Sequence, residues 1–154
     1  MTIEPTKTAE KSIWMPYTWS TGPGIGTFLT GLREGDILAA VCPDCGDHIV
    51  PARSFCPDCQ TKIEDYEPVG ESGTLKRVTV VHDDRETAQY DAPYALGLIT
   101  LDGADTSMLH VITGDEETLD AIEPGTTVEA VWRPDSEREG SIRDIDHFAP
   151  EGQS

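Results

Sequence analysis

From residue 70 onward, apolar and polar positions follow the two-residue period of β-structure. Thr74–His82 (T-L-K-R-V-T-V-V-H) is crowded with β-branched residues and predicts a strand. Tyr94–Leu101 (Y-A-L-G-L-I-T-L), Met108–Thr113, Thr126–Trp132 and Ser141–Phe148 predict four more. Turn signals separate them at Gly70-Glu71-Ser72-Gly73, Asp102-Gly103 and Pro124-Gly125. Glu116–Ile122 switches to a helical period, with Leu119 and Ile122 facing inward. Asp83–Ala92 is a polar loop. Five short strands with a small helix before the fourth predict a Greek-key barrel of the OB type.

The N-terminal part has a different pattern. Residues 1–12 are polar, and the glycine-rich Thr21–Gly26 predicts a loop. A short helix follows over Thr27–Arg33, with Phe28, Leu29 and Leu32 on one stripe and Gly35 as its stop signal. Ile37–Val41 predicts a strand. The expected class is mainly β, in the order N-terminal arm and short helix (1–36), zinc ribbon (37–66), OB-fold barrel (67–150) and loose tail (151–154).

The zinc ribbon is expected because all four cysteines fall in one stretch, as C-P-D-C-G at Cys42/Cys45 and C-P-D-C-Q at Cys56/Cys59. Two thiolates three positions apart turn back on one ion, and two such pairs suit tetrahedral zinc. Four protein ligands leave no open position, so the expected role is structural. A rubredoxin-type iron site uses the same ligands and stays open on sequence grounds. A redox C-x-x-C motif and a disulfide pair fit less well. His48, between the pairs, reads as a surface residue.

Charge narrows the function. The chain has 29 acidic and 11 basic residues, a formal net charge of −18. Phosphate backbones repel such a surface, so a single-stranded nucleic-acid-binding ribbon/OB protein remains only the alternative reading. An electron carrier is a further rival. The N-terminus lacks an apolar leader, and no stretch approaches the ~20 apolar residues of a membrane span. A cytoplasmic location is expected. No nucleophile–base set, H-E-x-x-H or P-loop occurs. The aromatic segment Ile13–Trp19, with Trp14, Tyr17 and Trp19, reads either as an arm over the chain's own core or as a partner-docking segment.

The order F-L-T-G-L-R-E-G, C-P-D-C-G, P-A-R-S-F-C-P-D-C, G-E-S-G-T-L, P-Y-A-L-G-L-I-T-L-D-G, I-E-P-G-T-T-V and F-A-P resembles the DUF35 family over residues 24–150. The four cysteines and the Gly70, Gly73, Thr74 turn carry most of the resemblance. Where the family more often has P-P-R, this chain has Pro51-Ala52-Arg53. The resemblance implies a small accessory subunit, not catalytic alone, of a thiolase-superfamily enzyme that makes or breaks C–C bonds in an acyl-CoA thioester. It implies structural zinc on Cys42, Cys45, Cys56 and Cys59, and a thiolase-like partner in an α2β2 assembly. On this reading Trp14, Tyr17 and Trp19 are docking candidates. Arg53, Lys76 and Arg77 are candidate contacts to the phosphates of CoA. Benzoylsuccinyl-CoA thiolase and steroid side-chain aldolase are the systems it points to first.

Overall fold

The structure is a computed structural model describing residues 15–82 and 90–152. Chain order is α1 (Gly22–Glu34), β1 (Leu38–Val41), β2 (His48–Ile49), β3 (Asp65–Pro68), β4 (Ser72–Val81), β5 (Tyr94–Leu101), β6 (Met108–Ile112), α2 (Glu116–Ala121), β7 (Thr127–Trp132) and β8 (Ile145–Pro150). Residues 15–20 precede α1 without regular structure, and 83–89, most of the expected polar loop, lie outside the described residues. No helix among the described residues is long and apolar enough to cross a membrane.

Strands β4 to β8 close into a barrel in the order β4-β5-β6-β8-β7. Among the described strands only β6 and β8 run parallel, meeting at Ile112 and Phe148. Inward side chains, Leu75, Ile99, Leu101, Met108, Ile112, Val128, Ile145 and Phe148, are essentially water-free. Leu119 adds α2 to the same core. Asp115 starts α2 by accepting the Thr118 N–H at 2.8 Å, the usual service of an N-cap carboxylate. The expected OB-type barrel is therefore present, and Tyr94–Leu101 has the bounds the sequence predicts.

Three expectations are corrected. The helix begins at Gly22, not Thr27, so Thr21–Gly26 is not a loop. Pro23 sits in the first turn, where its fixed φ suits a helix and its missing N–H costs nothing. Gly24 is there for contact: a Cβ would lie 2.5 Å from the backbone of Arg53 and Ser54. The helix ends as expected, with Gly35 and Asp36 donating to Leu32 and Gly31 at 3.1 and 2.9 Å, a Schellman closure.

The second correction is β3, a strand not expected from D-Y-E-P. It pairs with β1 along Leu38–Val41 and makes a three-stranded sheet, β2-β1-β3. The third concerns Ser141–Phe148. The strand starts only at Ile145, after a 3-10 turn at Ile142–Asp144. The fully buried Asp144 carboxylate forces this turn, because it accepts the N–H groups of Glu139, Gly140 and Ser141 at 3.1, 2.8 and 3.0 Å.

Ribbon and barrel are joined by direct bonds. Val50 donates to Thr106 Oγ1 at 2.8 Å, and that hydroxyl donates back to the Val50 carbonyl at 2.9 Å. Asp105 N–H donates to the His48 carbonyl at 2.8 Å, and Val69 N–H to Ile37. One continuous hydrophobic core runs from Phe28 and Leu32 of α1, through Ala39, Ile49 and Ile63, into the barrel.

Candidate metal centre and docking surfaces

Two turns of identical hydrogen bonding build the centre. In the first, the Cys42 carbonyl accepts from Gly46 at 2.9 Å, and Cys42 N–H donates to Asp47 at 3.0 Å. In the second, the Cys56 carbonyl accepts from Gln60 at 3.0 Å, and Cys56 N–H donates to Thr61 at 2.9 Å. Each turn needs a left-handed residue after its second cysteine: Gly46 at φ 80° and Gln60 at φ 60°. Glycine takes that conformation freely, while at Gln60 the turn imposes it on an ordinary side chain. A Thr61 hydroxyl donating to Asp44 ties one turn to the other.

The four Sγ atoms lie within 4.8 Å of one another. Cys45 and Cys56 sulfurs are 3.8 Å apart, about the edge of a tetrahedron whose centre holds an ion at ~2.3 Å from each sulfur. The cysteines are not disulfide-bonded. Cys42 and Cys56 are buried, Cys45 and Cys59 exposed, so the site lies at a surface with two ligands anchored in the core. The backbone N–H of Cys45 pulls the Cys42 thiol down to about 7, against burial. At Cys45 the Asp47 backbone pulls down, yet partial desolvation and the sulfurs of Cys42 and Cys59 prevail and push its thiol up. Cys59 is also pushed up: the Cys45 hydrogen bond opposes the rise, and partial desolvation with the Cys56 and Cys42 sulfurs brings it about. Four thiols compete here for negative charge, and a bound dication removes that conflict. The donor set therefore fits a four-coordinate structural metal site.

His48 is no part of it. Its ring faces the Gly46 carbonyl and the carboxylates of Glu67 and Asp105, at 3.2, 3.3 and 3.8 Å. His110 is a buried sheet residue, with ring nitrogens 3.3 Å from the Val111 carbonyl and 3.2 Å from that of Ile142. Burial lowers its pKa below the ordinary value.

The basic residues singled out in the sequence do not gather at one place. Arg53 lines a crevice with Ile49, Val50, Pro57, Thr106 and Ser107, where ribbon meets barrel. Lys76 and Arg77 lie instead on β4, at an irregularity in its pairing with β5, where Arg77 donates to the Lys76 carbonyl at 2.7 Å. Among the described residues none of the three has an ion-pair partner.

Of the aromatic segment, Trp14 lies outside the described residues. Tyr17 and Trp19 are 80% and 63% exposed, and Met15 is similarly bare. They do not fold back over the chain's own core. Sequence reasoning missed a second exposed apolar area, Leu98, Leu109 and Ile142 on the barrel. The missed signal was that β5 is apolar on both alternating sets of positions.

Comparison with known proteins follows this anatomy. Residues 29–63 match the ChsH2 rubredoxin-like zinc ribbon domain and residues 66–133 the ChsH2 C-terminal OB-fold domain. The chain is 26% identical over 100 residues to a DUF35 domain-containing scaffold protein of Methanothermobacter thermautotrophicus, covering 64% of this chain and 72% of that one. It is similar to the crystal structure of a DUF35 protein of unknown function from Sulfolobus solfataricus, with TM-score 0.59, 27% identity, and coverage of 72% of this chain and 79% of the other. It also shares its fold, at TM-score 0.62 and 19% identity, with a chain of the Ltp2-ChsH2(DUF35) aldolase, covering 86% of this chain and 98% of that one. With both the ribbon and the barrel matched in order, this chain belongs to the DUF35 family.

Proposed function

We propose that this chain is a zinc-stabilised, non-catalytic scaffold subunit of a heteromeric thiolase-like enzyme acting on an acyl-CoA thioester. One observation carries the reading: a segment with Met15, Tyr17 and Trp19 stands exposed in a chain whose four cysteine sulfurs converge as a metal site. Exposed aromatic side chains cost solubility and are kept where they anchor a partner. The scaffold name of the methanogen relative, and the assembly named for the aldolase relative, point the same way.

In this reading each part has a physical task. Zinc, when bound, ties the two turns together where so few residues form little core. The ribbon then presents a fixed surface, held to the barrel through Val50, Thr106, His48 and Asp105. The arm supplies aromatic anchors to a thiolase-superfamily subunit, which holds the reacting groups. Arg53 in the ribbon–barrel crevice, with Lys76 on β4, supplies local positive charge toward the phosphates of CoA, which the net charge of −18 otherwise repels. An α2β2 assembly is the simplest stoichiometry. Benzoylsuccinyl-CoA cleavage and steroid side-chain aldol cleavage are the two candidate reactions.

The test is affinity isolation of the tagged chain from its native cells, with the retained proteins identified by mass spectrometry. A thiolase-superfamily subunit in near-equal amount is the expected result, and Tyr17→Ala/Trp19→Ala should reduce it. Recovery of the chain alone, or with nucleic acid, refutes the proposal.

A further inference from the structure

The outer face of β5 and β6 is apolar where a monomer of this charge should be polar. In β5 and β6 the inward set is Ala95, Gly97, Ile99 and Leu101 with Met108, His110 and Ile112, all buried. The outward set is apolar as well, apart from Thr100. Register pairs Leu98 with Leu109 and Leu96 with Val111. On the next strand Arg77 lies opposite Leu98, and Thr79 opposite Leu96. The result is two parallel rows across three strands, Arg77–Leu98–Leu109 and Thr79–Leu96–Val111. Ile142 extends the surface at the β6 side, and a shallow groove of about 230 Å³ runs between Tyr90, Leu96, Leu109, Val111, Ile142 and Arg143. Leu109 is 62% exposed, and Leu98 and Ile142 are open as well.

Charge identifies what covers this face. The chain has 29 acidic residues against 11 basic ones, yet among the described residues the charged side chains on these rows and this groove are Arg77 and Arg143, beside the buried ring of His110. Among the described residues neither guanidinium has a carboxylate partner. Apolar residues bordered by unpaired arginines complement an apolar surface bordered by carboxylates. A second copy of this chain is a poor occupant, because two bodies of formal charge −18 repel each other. Nucleic acid is poorer still: it needs a basic groove, and this face offers two cations around aliphatic side chains.

We propose that the outer face of β5 and β6, with Ile142, is a second docking surface, which receives an apolar, carboxylate-bordered segment of the catalytic subunit. This rests on the scaffold reading above and adds the place and chemistry of contact. Leu109 and Leu98 act as its central anchors, and Arg77 and Arg143 set orientation at its edge. The barrel and the aromatic arm then hold the same partner at two points, so loss of either weakens the assembly.

The test places a photoreactive phenylalanine analogue at Leu109, and in a control at Glu117 on α2, in the full-length tagged chain expressed in its native cells. After irradiation, the cross-linked peptides are sequenced. The expected product joins Leu109, but not Glu117, to the co-isolated thiolase-type subunit, at a segment with apolar and acidic residues. Leu109→Glu should lower the amount of that subunit retained by about tenfold, while Leu109→Met keeps it and both variants keep their metal. Three outcomes overturn the proposal: Leu109 cross-linked to a second copy of this chain, Leu109 cross-linked to residues 1–14 of its own chain, or undiminished retention by Leu109→Glu without a Leu109 cross-link. In these cases the scaffold reading survives if the unsubstituted chain still retains the subunit. If the unsubstituted chain retains none, both readings fall together.

Discussion

Replacing Asp144 by alanine should be among the most damaging single changes outside the metal site. The carboxylate is fully buried and accepts three backbone N–H groups, from Glu139, Gly140 and Ser141. The Asp144 main chain adds a bond to the Ser141 carbonyl and accepts Arg133 N–H, both at 2.9 Å. Hydrogen bonds to a charged acceptor are each worth about 1.5–3 kcal/mol, and an abandoned buried donor costs about 1–3 kcal/mol. Three such bonds nominally exceed ~4.5 kcal/mol, but the surrounding segment is only part-buried and water recovers some of this. A net loss of about 3–5 kcal/mol follows, a large share of the ~5–15 kcal/mol that holds a domain together. At a urea dependence of about 2 kcal/mol per molar, the midpoint of the metal-loaded protein should fall by about 2 M. Asp144→Asn keeps one acceptor oxygen but turns an NH2 toward the remaining donors, so it should restore only part of the loss. Urea denaturation followed by tryptophan fluorescence reads the effect, since Trp132 packs beneath Arg138 at the other end of this segment. A midpoint shift below about 0.3 M, the scale of an ordinary surface change, would refute the assignment of Asp144 as the organiser of residues 139–144.

Other perturbations follow from the same geometry. Gly24→Ala gains about 1 kcal/mol of helix propensity, but its Cβ meets the ribbon backbone at 2.5 Å; the contact should win, with a net loss of about 1–3 kcal/mol in denaturant titration. Burial lowers the His110 pKa, so the unfolded chain takes up that proton first. Its contribution is complete above the unfolded value of about 6.5 and is lost as pH falls below it. A pH series of thermal midpoints should show this acid-side decline, and His110→Phe, which keeps a ring against Phe148, should flatten it. Because the metal needs thiolates, acidification to about pH 4–5 or a strong chelator should strip about one zinc per chain. Loss of amide protection should then begin in residues 38–68 while the barrel stays protected, as hydrogen exchange would record.

How much of this was legible beforehand depended on how local each determinant is. The four cysteines announce their centre, because C-x2-C turns are short-range devices. Tyr94–Leu101 was also legible in its bounds, but not in its exposure. A run apolar on both sets of positions reads as buried on both faces, whereas only Ala95, Gly97, Ile99 and Leu101 are sealed, leaving Leu96 and Leu98 for the outer face. Other features depend on distant neighbours. D-Y-E-P has little intrinsic strand character, and β3 exists because β1 offers it a free edge. The first turns of α1 look like a loop because glycine lowers helix propensity; Gly24 is there so that the ribbon backbone can lie against the helix. Asp144 sits in a charged stretch, and only the folded chain turns three amides toward it.

The proposed work of a metal-binding ribbon and two exposed apolar surfaces is to hold this chain in a larger enzyme. Native mass spectrometry of the chain isolated with its bound proteins, under conditions that keep metals attached, tests it most directly. The expected mass combines this chain, about one zinc for each copy, and a thiolase-superfamily subunit in equal number. Trp19→Ala combined with Leu109→Glu should release this chain with its zinc retained. A lone chain, or a homo-oligomer without a second subunit, would contradict it.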